Sequence, residues 1–271
     1  MSGAPAPKRA RSSKRGASRK KTPRSIDAEV ERILSTLERK GTRAGRDGMA
    51  RYTLPSDRAF GVSMKDVQAL AAEIGRDHAL ALALWETDRY EARALCAYVD
   101  EPARVTPAQM DRWCRDFDNW GICDTLCFAL FDRTPHAWRM IDRWATRKPE
   151  FERRASFALL ASLALHDRDA GDGPFLERLP LIERAATDER NFVRKGVVWA
   201  LRSIGSRNTE LHRAANELAR RLAAMDDRTA RATGKEVLRE LAKPAVQKRL
   251  DARERNARST KPATSRQRAK P

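Results

Sequence analysis

Residues 25–244 form an almost unbroken succession of helix-forming segments, and this succession limits the fold more than any other feature of the chain. Alanine, leucine, arginine and glutamate dominate, and no alternating run of β-branched residues is long enough to predict a strand. Short breaks such as Thr106-Pro107 and Thr134-Pro135 fit an N-cap followed by proline at the first helical position. The predicted helices cover residues 26–40, 64–75, 78–86, 89–99, 107–115, 119–132, 135–147, 150–166, 175–187, 190–204, 208–224 and 228–242.

The helical part of the chain also repeats itself. Three segments place an arginine at the start of an apolar helix: RASFALLASLA from Arg154, RKGVVWALRSI from Arg194 and RATGKEVLREL from Arg231. Their separations of 40 and 37 residues are typical of two-helix repeats, and RALCAYV from Arg93 is a less regularly spaced example. Because the breaks are short, neighbouring helices should pack antiparallel. We therefore predict an all-α fold, an α-α superhelix of helix pairs with a concave face.

The net charge of +18 is concentrated at the two ends of the chain. Residues 1–24 carry nine basic side chains and no acid, and residues 245–271 carry nine basic and two acidic side chains. These segments contribute +9 and +7, which leaves only +2 for residues 25–244. Both ends lack aromatic residues, so we predict disordered basic tails around one domain. Within that domain, we expect the basic side chains to gather at the concave face.

Composition excludes several classes of protein. A hydrophobic content of 41% with six tryptophans is too high for a wholly disordered chain. No apolar run approaches the roughly 18–20 residues that span a bilayer, and the N-terminus lacks the apolar segment of a secretory signal. The four cysteines form no C-x-x-C pair. A metal site that uses Cys114, Cys123 and Cys127 is conceivable, but we expect buried reduced thiols in a cytosolic protein.

One carboxylate interrupts an apolar helix face. A single stripe of the segment 119–132 contains residues at steps of four, three and four, namely Trp120, Asp124, Cys127 and Phe131. Burying an unpaired charge is costly, so Asp124 needs a partner or faces a cleft. It is therefore either a catalytic candidate or the ion-pair partner of an arginine on a neighbouring helix.

A second stripe alternates aromatic rings with cations. On the segment 190–204 it consists of Phe192, Lys195, Trp199 and Arg202. A tryptophan between cations suits a platform for a sugar or base beside phosphate contacts. The alternative is a tryptophan packed under the aliphatic stems of lysine and arginine at a repeat interface.

Two arginines, Arg153 and Arg154, open the helix predicted over 150–166. Their guanidinium groups suit bidentate phosphate contacts, and they equally suit salt bridges between repeats. If the second helices of the repeats lie side by side, Trp120, Asp124, Arg154 and Trp199 converge. One carboxylate and no P-loop make phosphoryl transfer a poor candidate reaction. The set suits a developing cation, as in glycosidic bond cleavage, because a carboxylate stabilises an oxocarbenium ion and orients water.

The motifs resemble those of the alkylpurine DNA glycosylases built from HEAT-like repeats, the AlkD-like DNA alkylation repair family. The resemblance covers about residues 50–242 and rests on RYTLPSDRAFGVSMKDVQALA, FDNWGICD, RRASFALLASLALHD and DERNFVRKGVVWALRSIGSRN. It implies a HEAT-like solenoid that holds double-stranded DNA on its concave face. It further implies excision of cationic alkylated purines, such as 3-methyladenine and 7-methylguanine, without a metal or other cofactor.

The resemblance also assigns roles to single residues. Asp124 matches the catalytic carboxylate, Trp120 and Trp199 match the tryptophans that bracket the deoxyribose, and Arg154 matches an arginine that contacts the DNA backbone. We expect further DNA contacts from Arg153, Arg194, Lys195 and Arg202. A base that already carries its charge needs no general acid to leave. We expect a monomer in the bacterial cytosol.

The sequence departs from the family pattern beside the proposed catalytic residues. Asn119 and Gly121 flank Trp120, where other members can carry another aromatic and a polar residue. This departure indicates an altered substrate range or weak activity. The competing hypothesis is a non-catalytic helical-repeat protein that binds duplex DNA or an acidic partner through the same face.

Overall fold

The computed structural model describes residues 25–260 of the chain. In that range it contains α-helices and one 3₁₀ turn but no β-strand, which confirms the predicted all-α class. No helix of this part is long and apolar enough to cross a bilayer. The helices are α1 (Ile26–Lys40), α2 (Arg43–Arg51), α3 (Met64–Ile74), α4 (His78–Glu86), α5 (Tyr90–Val99), α6 (Pro107–Arg115), α7 (Trp120–Ala129), α8 (Ala137–Trp144), α9 (Glu150–His166), α10 (Gly173–Leu176), α11 (Leu179–Ala185), α12 (Asn191–Gly205), α13 (Thr209–Ala224), α14 (Arg228–Leu241) and α15 (Pro244–Thr260), with the 3₁₀ turn at Phe131–Arg133.

The helices pack in two rows, which confirms the predicted two-helix repeat. One row, which we call the inner row, consists of α5, α7, α9, α12 and α14, each of which packs against the next. The outer row consists of α4, α6, α8, α11 and α13, each of which precedes an inner helix in the chain. Large apolar side chains fill the space between the rows. Trp85 and Trp113, for example, are fully buried and stack with their ring centroids 4.3 Å apart.

Polar side chains at the N-caps fix many of the helix starts. Each accepts a hydrogen bond from the backbone N–H three residues later, which satisfies a donor that the first turn leaves free. The residues that do so are Ser25, Thr42, Ser63, Asp77, Thr106, Asn119, Asn208 and Asp227. The cap predicted at Thr134 is wrong, because its hydroxyl donates to the carbonyl of Phe131 at 2.8 Å and α8 begins only at Ala137.

Arginines near the start of two inner helices bind back to the preceding outer helix. The Nε–H of Arg93 donates to the carbonyl of Trp85 at 3.3 Å, and that of Arg153 donates to the carbonyl of Ala145 at 3.0 Å. In both cases the acceptor lies eight residues earlier, at or near the end of the outer helix. This contact closes the helix hairpin, so Arg153 has a structural role in the repeat.

The sequence does not predict α2, because its glycines resemble loop residues. Gly45 is needed for close packing, since a Cβ there would lie 2.1 Å from the carbonyl oxygen of Gly61. Gly61 has a φ of +82° and belongs to a loop whose N–H groups bind the fully buried carboxylate of Glu91 on α5. The glycines therefore let α2 lie against a loop that α5 holds in place.

The C-terminal tail predicted from residue 245 needs correction. Residues 244–260 form α15, which covers the end of the solenoid with Leu250, a side chain only 5% exposed. Arg253 donates to the carbonyls of Ser206 and Arg207 at the end of α12. The helix forms because these contacts satisfy free carbonyls and bury an apolar side chain. The predicted tails at 1–24 and 261–271 lie outside the described residues.

Candidate active site on the inner helix row

The inner row and the end of α2 enclose a cleft of about 580 Å³. Four of the residues that the sequence predicts to be catalytic or DNA-contacting line this cleft, on three different helices: Trp120 and Asp124 on α7, Arg154 on α9 and Lys195 on α12. The complete lining consists of Arg51, Tyr52, Thr53, Trp120, Asp124, Arg154, Asn191, Phe192 and Lys195. The predicted convergence of second helices thus brings Trp120, Asp124 and Arg154 to one cleft, but not Trp199.

Asp124 and Arg154 form a bidentate ion pair at the base of this cleft. The Nε–H of Arg154 donates to Oδ1 of Asp124 at 2.9 Å, and its Nη2–H donates to Oδ2 at 2.7 Å. The Nη1–H donates to the carbonyl of Phe192 at 2.8 Å. The side chain of Arg154 is 7% exposed and that of Asp124 is 17% exposed. In the free protein, the Arg154 guanidinium therefore donates to Asp124 and is largely shielded from solvent.

The protonation of Asp124 reflects two opposing effects. Burial raises the pKa of the Asp124 carboxyl above its ordinary value, and the hydrogen bonds and charge of Arg154 oppose this rise. Burial also raises the pKa of the neighbouring Tyr90 hydroxyl to about 12, with a further contribution from the charges of Glu91 and Asp124. Tyr90 therefore remains a neutral phenol near neutral pH, whereas the Asp124 carboxyl is harder to ionise than an exposed aspartate.

Trp120 is fixed from two sides. Asn119 caps α7 by accepting from the N–H of Ile122 at 2.9 Å, which sets the first turn where Trp120 lies. The indole N–H of Trp120 donates to the carbonyl of Tyr52 at 2.9 Å. Gly121 lets α7 approach α5, since a Cβ there would lie 2.4 Å from the Tyr90 hydroxyl. The departures from the family pattern at 119 and 121 thus have structural reasons.

Part of the cleft lining comes from the first two turns of α12, which supply Asn191, Phe192 and Lys195. The ring of Phe192 packs against that of Phe151 at 5.1 Å between centroids. The Lys195 ammonium and the Arg154 guanidinium each lie 6.0 Å from the centre of the Phe192 ring. Lys195 is exposed, and it makes no ion pair among the described residues. It is the predicted DNA-contacting cation that remains available in the cleft.

Trp199 is absent from the lining of the cleft. Its half-buried ring stacks on that of Phe128 with centroids 4.6 Å apart and planes inclined by 10°. Phe128 lies one turn after Asp124 on α7, and Trp199 lies one turn after Lys195 on α12. The half-buried stripe of α7 is therefore Trp120, Asp124 and Phe128, whereas the predicted members Cys127 and Phe131 are buried in the core.

The other arginines predicted to contact DNA form ion pairs with acidic side chains. Arg153 pairs with Asp188 at 2.9 Å, Arg194 pairs with Glu236 at 2.7 Å, and Arg202 lies 3.7 Å from Glu240. The last two pairs join α12 to α14. Acids therefore alternate with bases along this part of the inner row, and the expected segregation of basic side chains at this face is not found there.

Four further lining residues carry no signal in the sequence that predicts a site: Arg51, Tyr52, Thr53 and Asn191. Tyr52 and Thr53 belong to the motif RYTLPSDRAF, which supported the resemblance without indicating a site. The only local signal was an aromatic residue in a polar, glycine-rich stretch. No three His, Cys, Asp or Glu side chains within residues 25–260 are placed to hold a metal ion. The four cysteines are free and buried, as predicted.

Comparison with known proteins identifies the family. No curated protein matches the chain. One similar solved structure belongs to a new family of proteins related to the HEAT-like repeat DNA glycosylases with affinity for branched DNA structures; it is 16% identical, covers 78% of this chain and 94% of its own, and superposes with a TM-score of 0.64. AlkD2 from Streptococcus mutans is 18% identical, covers 79% and 97%, and has a TM-score of 0.51. These structures share the fold. The family model for DNA alkylation repair enzymes matches residues 33–232, and the chain therefore belongs to that family.

Proposed function

We propose that the protein is a DNA glycosylase that hydrolyses the N-glycosidic bond of cationic alkylated purines, such as 3-methyladenine and 7-methylguanine, in double-stranded DNA. The observation that carries the proposal is the Asp124 carboxylate at the base of a cleft that has aromatic walls and free cations at its rim. The carboxylate suits a sugar cation, the aromatic rings suit a sugar or base, and Arg51 and Lys195 suit phosphates.

In the proposed reaction, the bond between C1′ of the deoxyribose and the base nitrogen breaks, and its electron pair neutralises the leaving base. The Asp124 carboxylate stabilises the positive charge that develops on the sugar. It also orients a water molecule, whose oxygen forms the new bond to C1′ and whose proton passes to Asp124 or to solvent. The products are a free base and an abasic site.

The ion pair with Arg154 is compatible with this role. A carboxylate has about four acceptor positions, and Arg154 occupies two of them. The remaining positions can accept from water. A DNA phosphate at the rim would compete for the Arg154 guanidinium, since bidentate phosphate and carboxylate contacts use the same donors. If Arg154 moved towards the DNA phosphate, less of the Asp124 charge would be neutralised and more would act on the sugar.

The test is base release from methylated duplex DNA. We expect the wild-type protein to liberate 7-methylguanine and 3-methyladenine, identified by mass, and Asp124→Asn to lose at least about 100-fold of the rate, because oxyanion- and cation-stabilising groups contribute that much. Asp188→Asn is the matched control, because Asp188 also pairs with arginines on the inner row but lies outside the cleft. Equal release by wild type and Asp124→Asn contradicts the assignment.

The second candidate is a non-catalytic protein that binds duplex DNA through the same cleft. Two observations favour it: Arg154 already occupies both oxygens of Asp124, and Trp199 stacks on Phe128 instead of lining the cleft. It predicts salt-sensitive duplex binding without any abasic sites. Counting abasic sites in methylated DNA at saturating protein separates the two functions.

A further inference from the structure

The aromatic side chain of Tyr52 is exposed to solvent at the mouth of the cleft and does not contribute to the hydrophobic core. Its side chain is 68% exposed, the largest fraction among the exposed large hydrophobic residues of the described part of the chain. It lines the cleft together with Trp120 and Asp124. An aromatic ring gains free energy when a partner surface removes it from water. A ring left in solvent at a site indicates a ligand that covers it.

The backbone that presents Tyr52 is strained. Thr53 has a φ of +56°, in the left-handed region that a β-branched residue rarely adopts. The conformation is held by two backbone hydrogen bonds of 3.1 Å, from Thr53 to the carbonyl of Ala50 and from Leu54 to the carbonyl of Met49. Such strain persists where the surrounding structure imposes it, and it concentrates at functional sites. Here the tight turn ends α2 and leaves the Tyr52 ring at the cleft.

The position of Tyr52 is coupled to the proposed catalytic helix. Its carbonyl accepts the indole N–H of Trp120 at 2.9 Å, and Trp120 lies one helical turn before Asp124 on α7. The turn that carries Tyr52 is therefore fixed relative to the Asp124 carboxylate, although the two residues are 72 positions apart in the chain. A ligand group that stacks on Tyr52 is thus placed at a defined distance from Asp124.

Charge beside the ring indicates what kind of ligand fits. Arg51 directly precedes Tyr52 in the chain, and Lys195 also lines the cleft. Both side chains are exposed, and neither makes an ion pair within the described residues. A planar aromatic surface next to unpaired cations is the combination that takes a nucleotide, whose base stacks while its phosphate meets the cation. An apolar peptide would leave both cations without a partner.

We infer that Tyr52 forms a nucleobase-stacking site at the mouth of the cleft, with Arg51 on the adjacent phosphate. The inference rests on the proposed function, because it takes duplex DNA as the ligand. The Tyr52 ring stacks on the base adjacent to the damaged nucleotide, which has lost a stacking partner on that side. Stacking of this kind holds the opened duplex in place while Asp124 faces the sugar, and it tolerates any base because every base has a π-face.

The test measures binding of the full chain to a fluorescein-labelled duplex that contains a single tetrahydrofuran abasic analogue. We expect Tyr52→Ala to bind about tenfold more weakly, because loss of one aromatic–base stack weakens single-strand binding by that order. Tyr52→Phe keeps the ring and should bind within about twofold of wild type. Tyr52→Leu keeps apolar bulk without the ring and should be as weak as Tyr52→Ala.

Several results would overturn the inference. Wild-type affinity of Tyr52→Ala means that the ring takes no part in binding, and wild-type affinity of Tyr52→Leu means that it acts as an apolar wedge without stacking. If the wild-type protein does not bind the duplex at all, duplex DNA is not the ligand and the inference fails. Because the side chain is exposed, the melting temperature of each variant should equal that of wild type.

A cross-linking experiment locates the contact independently. Irradiation of a complex with 5-iodouracil beside the abasic analogue should join the base to Tyr52, as identified by mass spectrometry, and a cross-link elsewhere contradicts the stacking site. The two proposals fail differently. If Asp124→Asn and wild type release no base yet Tyr52→Ala weakens binding, the glycosylase assignment fails and the stacking site stands.

Discussion

The Asp124 carboxylate is the residue on which the proposed chemistry depends, and its environment both stabilises and restrains its charge. Burial disfavours the ionised form, whereas Arg154 donates two charge-assisted hydrogen bonds to it. A buried carboxylate without this partner would be neutral more often. The ion pair therefore opposes protonation of Asp124 inside a cleft where the charge of a sugar cation would be poorly screened by water.

This balance predicts a change in pH dependence when Arg154 is replaced. Arg154→Gln removes the cation that opposes the effect of burial, so the pKa of Asp124 should rise further. Base release requires the carboxylate and is lost as the pH falls through this pKa. The acid limb of the rate should consequently move to higher pH, in single-turnover rates measured from about pH 5 to 8.

Arg154→Lys provides the comparison, because it keeps the positive charge and loses the bidentate geometry. Its acid limb should lie between those of wild type and Arg154→Gln. A profile that keeps the same midpoint in all three proteins, with only the maximum rate reduced, would assign Arg154 to DNA contact alone.

Helical periodicity was sufficient to find some site residues and insufficient for others. Asp124 could be proposed because it interrupts an apolar stripe, and Lys195 because it lies on a stripe that alternates aromatic rings with cations. Trp199 lies on such a stripe too, yet its ring meets Phe128, and that contact depends on how α7 and α12 are placed. Tyr52 reaches the site through a turn fixed by Trp120, which is 68 residues away, so nothing local could show it.

At the scale of helices, the position of α7 depends on its contact with α5. The hydroxyl of the buried Tyr90 lies where a side chain at position 121 would be, so the two helices approach through a glycine. Glycine is unfavourable inside a helix by roughly 1 kcal/mol relative to alanine. Its presence here follows from packing, and it places Trp120 and Asp124 at the cleft.

This packing predicts opposite effects for two identical substitutions. Gly121→Ala should lower the free energy of unfolding by about 1–3 kcal/mol, because overpacking outweighs the better helix propensity. Gly48→Ala, in α2, meets no atom within 4 Å and should raise it by up to about 1 kcal/mol. Urea denaturation of both variants measures these changes. Stabilisation by Gly121→Ala would show that α7 is free to shift.

The helices that the sequence predicted correctly are those whose ends carry their own signals. Capping side chains such as Asn208 and Asp227 mark α13 and α14, and both were predicted within one residue. The segment predicted at 175–187 is divided into α10 and α11. Helices α2 and α15 escaped prediction because tertiary contacts stabilise them: the loop held by Glu91 in one case, and the burial of Leu250 in the other.

Over the whole molecule, we expect the net charge and the proposed chemistry to lie in different parts of the chain. On the inner row, acids already pair with Arg153, Arg194 and Arg202. The excess positive charge lies in residues 1–24 and 245–271, which include the basic helix α15. General attraction to DNA should therefore come from the ends, and recognition at the cleft from Arg51 and Lys195.

Truncation of the two ends should then have distinct effects. Removal of residues 1–24 deletes nine basic side chains, and we expect a weaker salt dependence of binding, by about 0.9 in the logarithmic slope for each phosphate that is no longer neutralised. The melting temperature and the rate of base release at saturating DNA should not change. A chain without 261–271 should behave in the same way, with a smaller effect because it loses only four basic side chains.

Removal of residues 245–271 should in addition lower the melting temperature, since it uncovers the surface under Leu250 and frees the carbonyls that Arg253 binds. Comparing this truncation with the one at 261 separates the charge of the C-terminal segment from its structural role. Thermal unfolding and binding at several salt concentrations, measured on the same three proteins, test both. Loss of base release on removal of 1–24 alone would contradict the division, because the chemistry would then require residues outside the cleft.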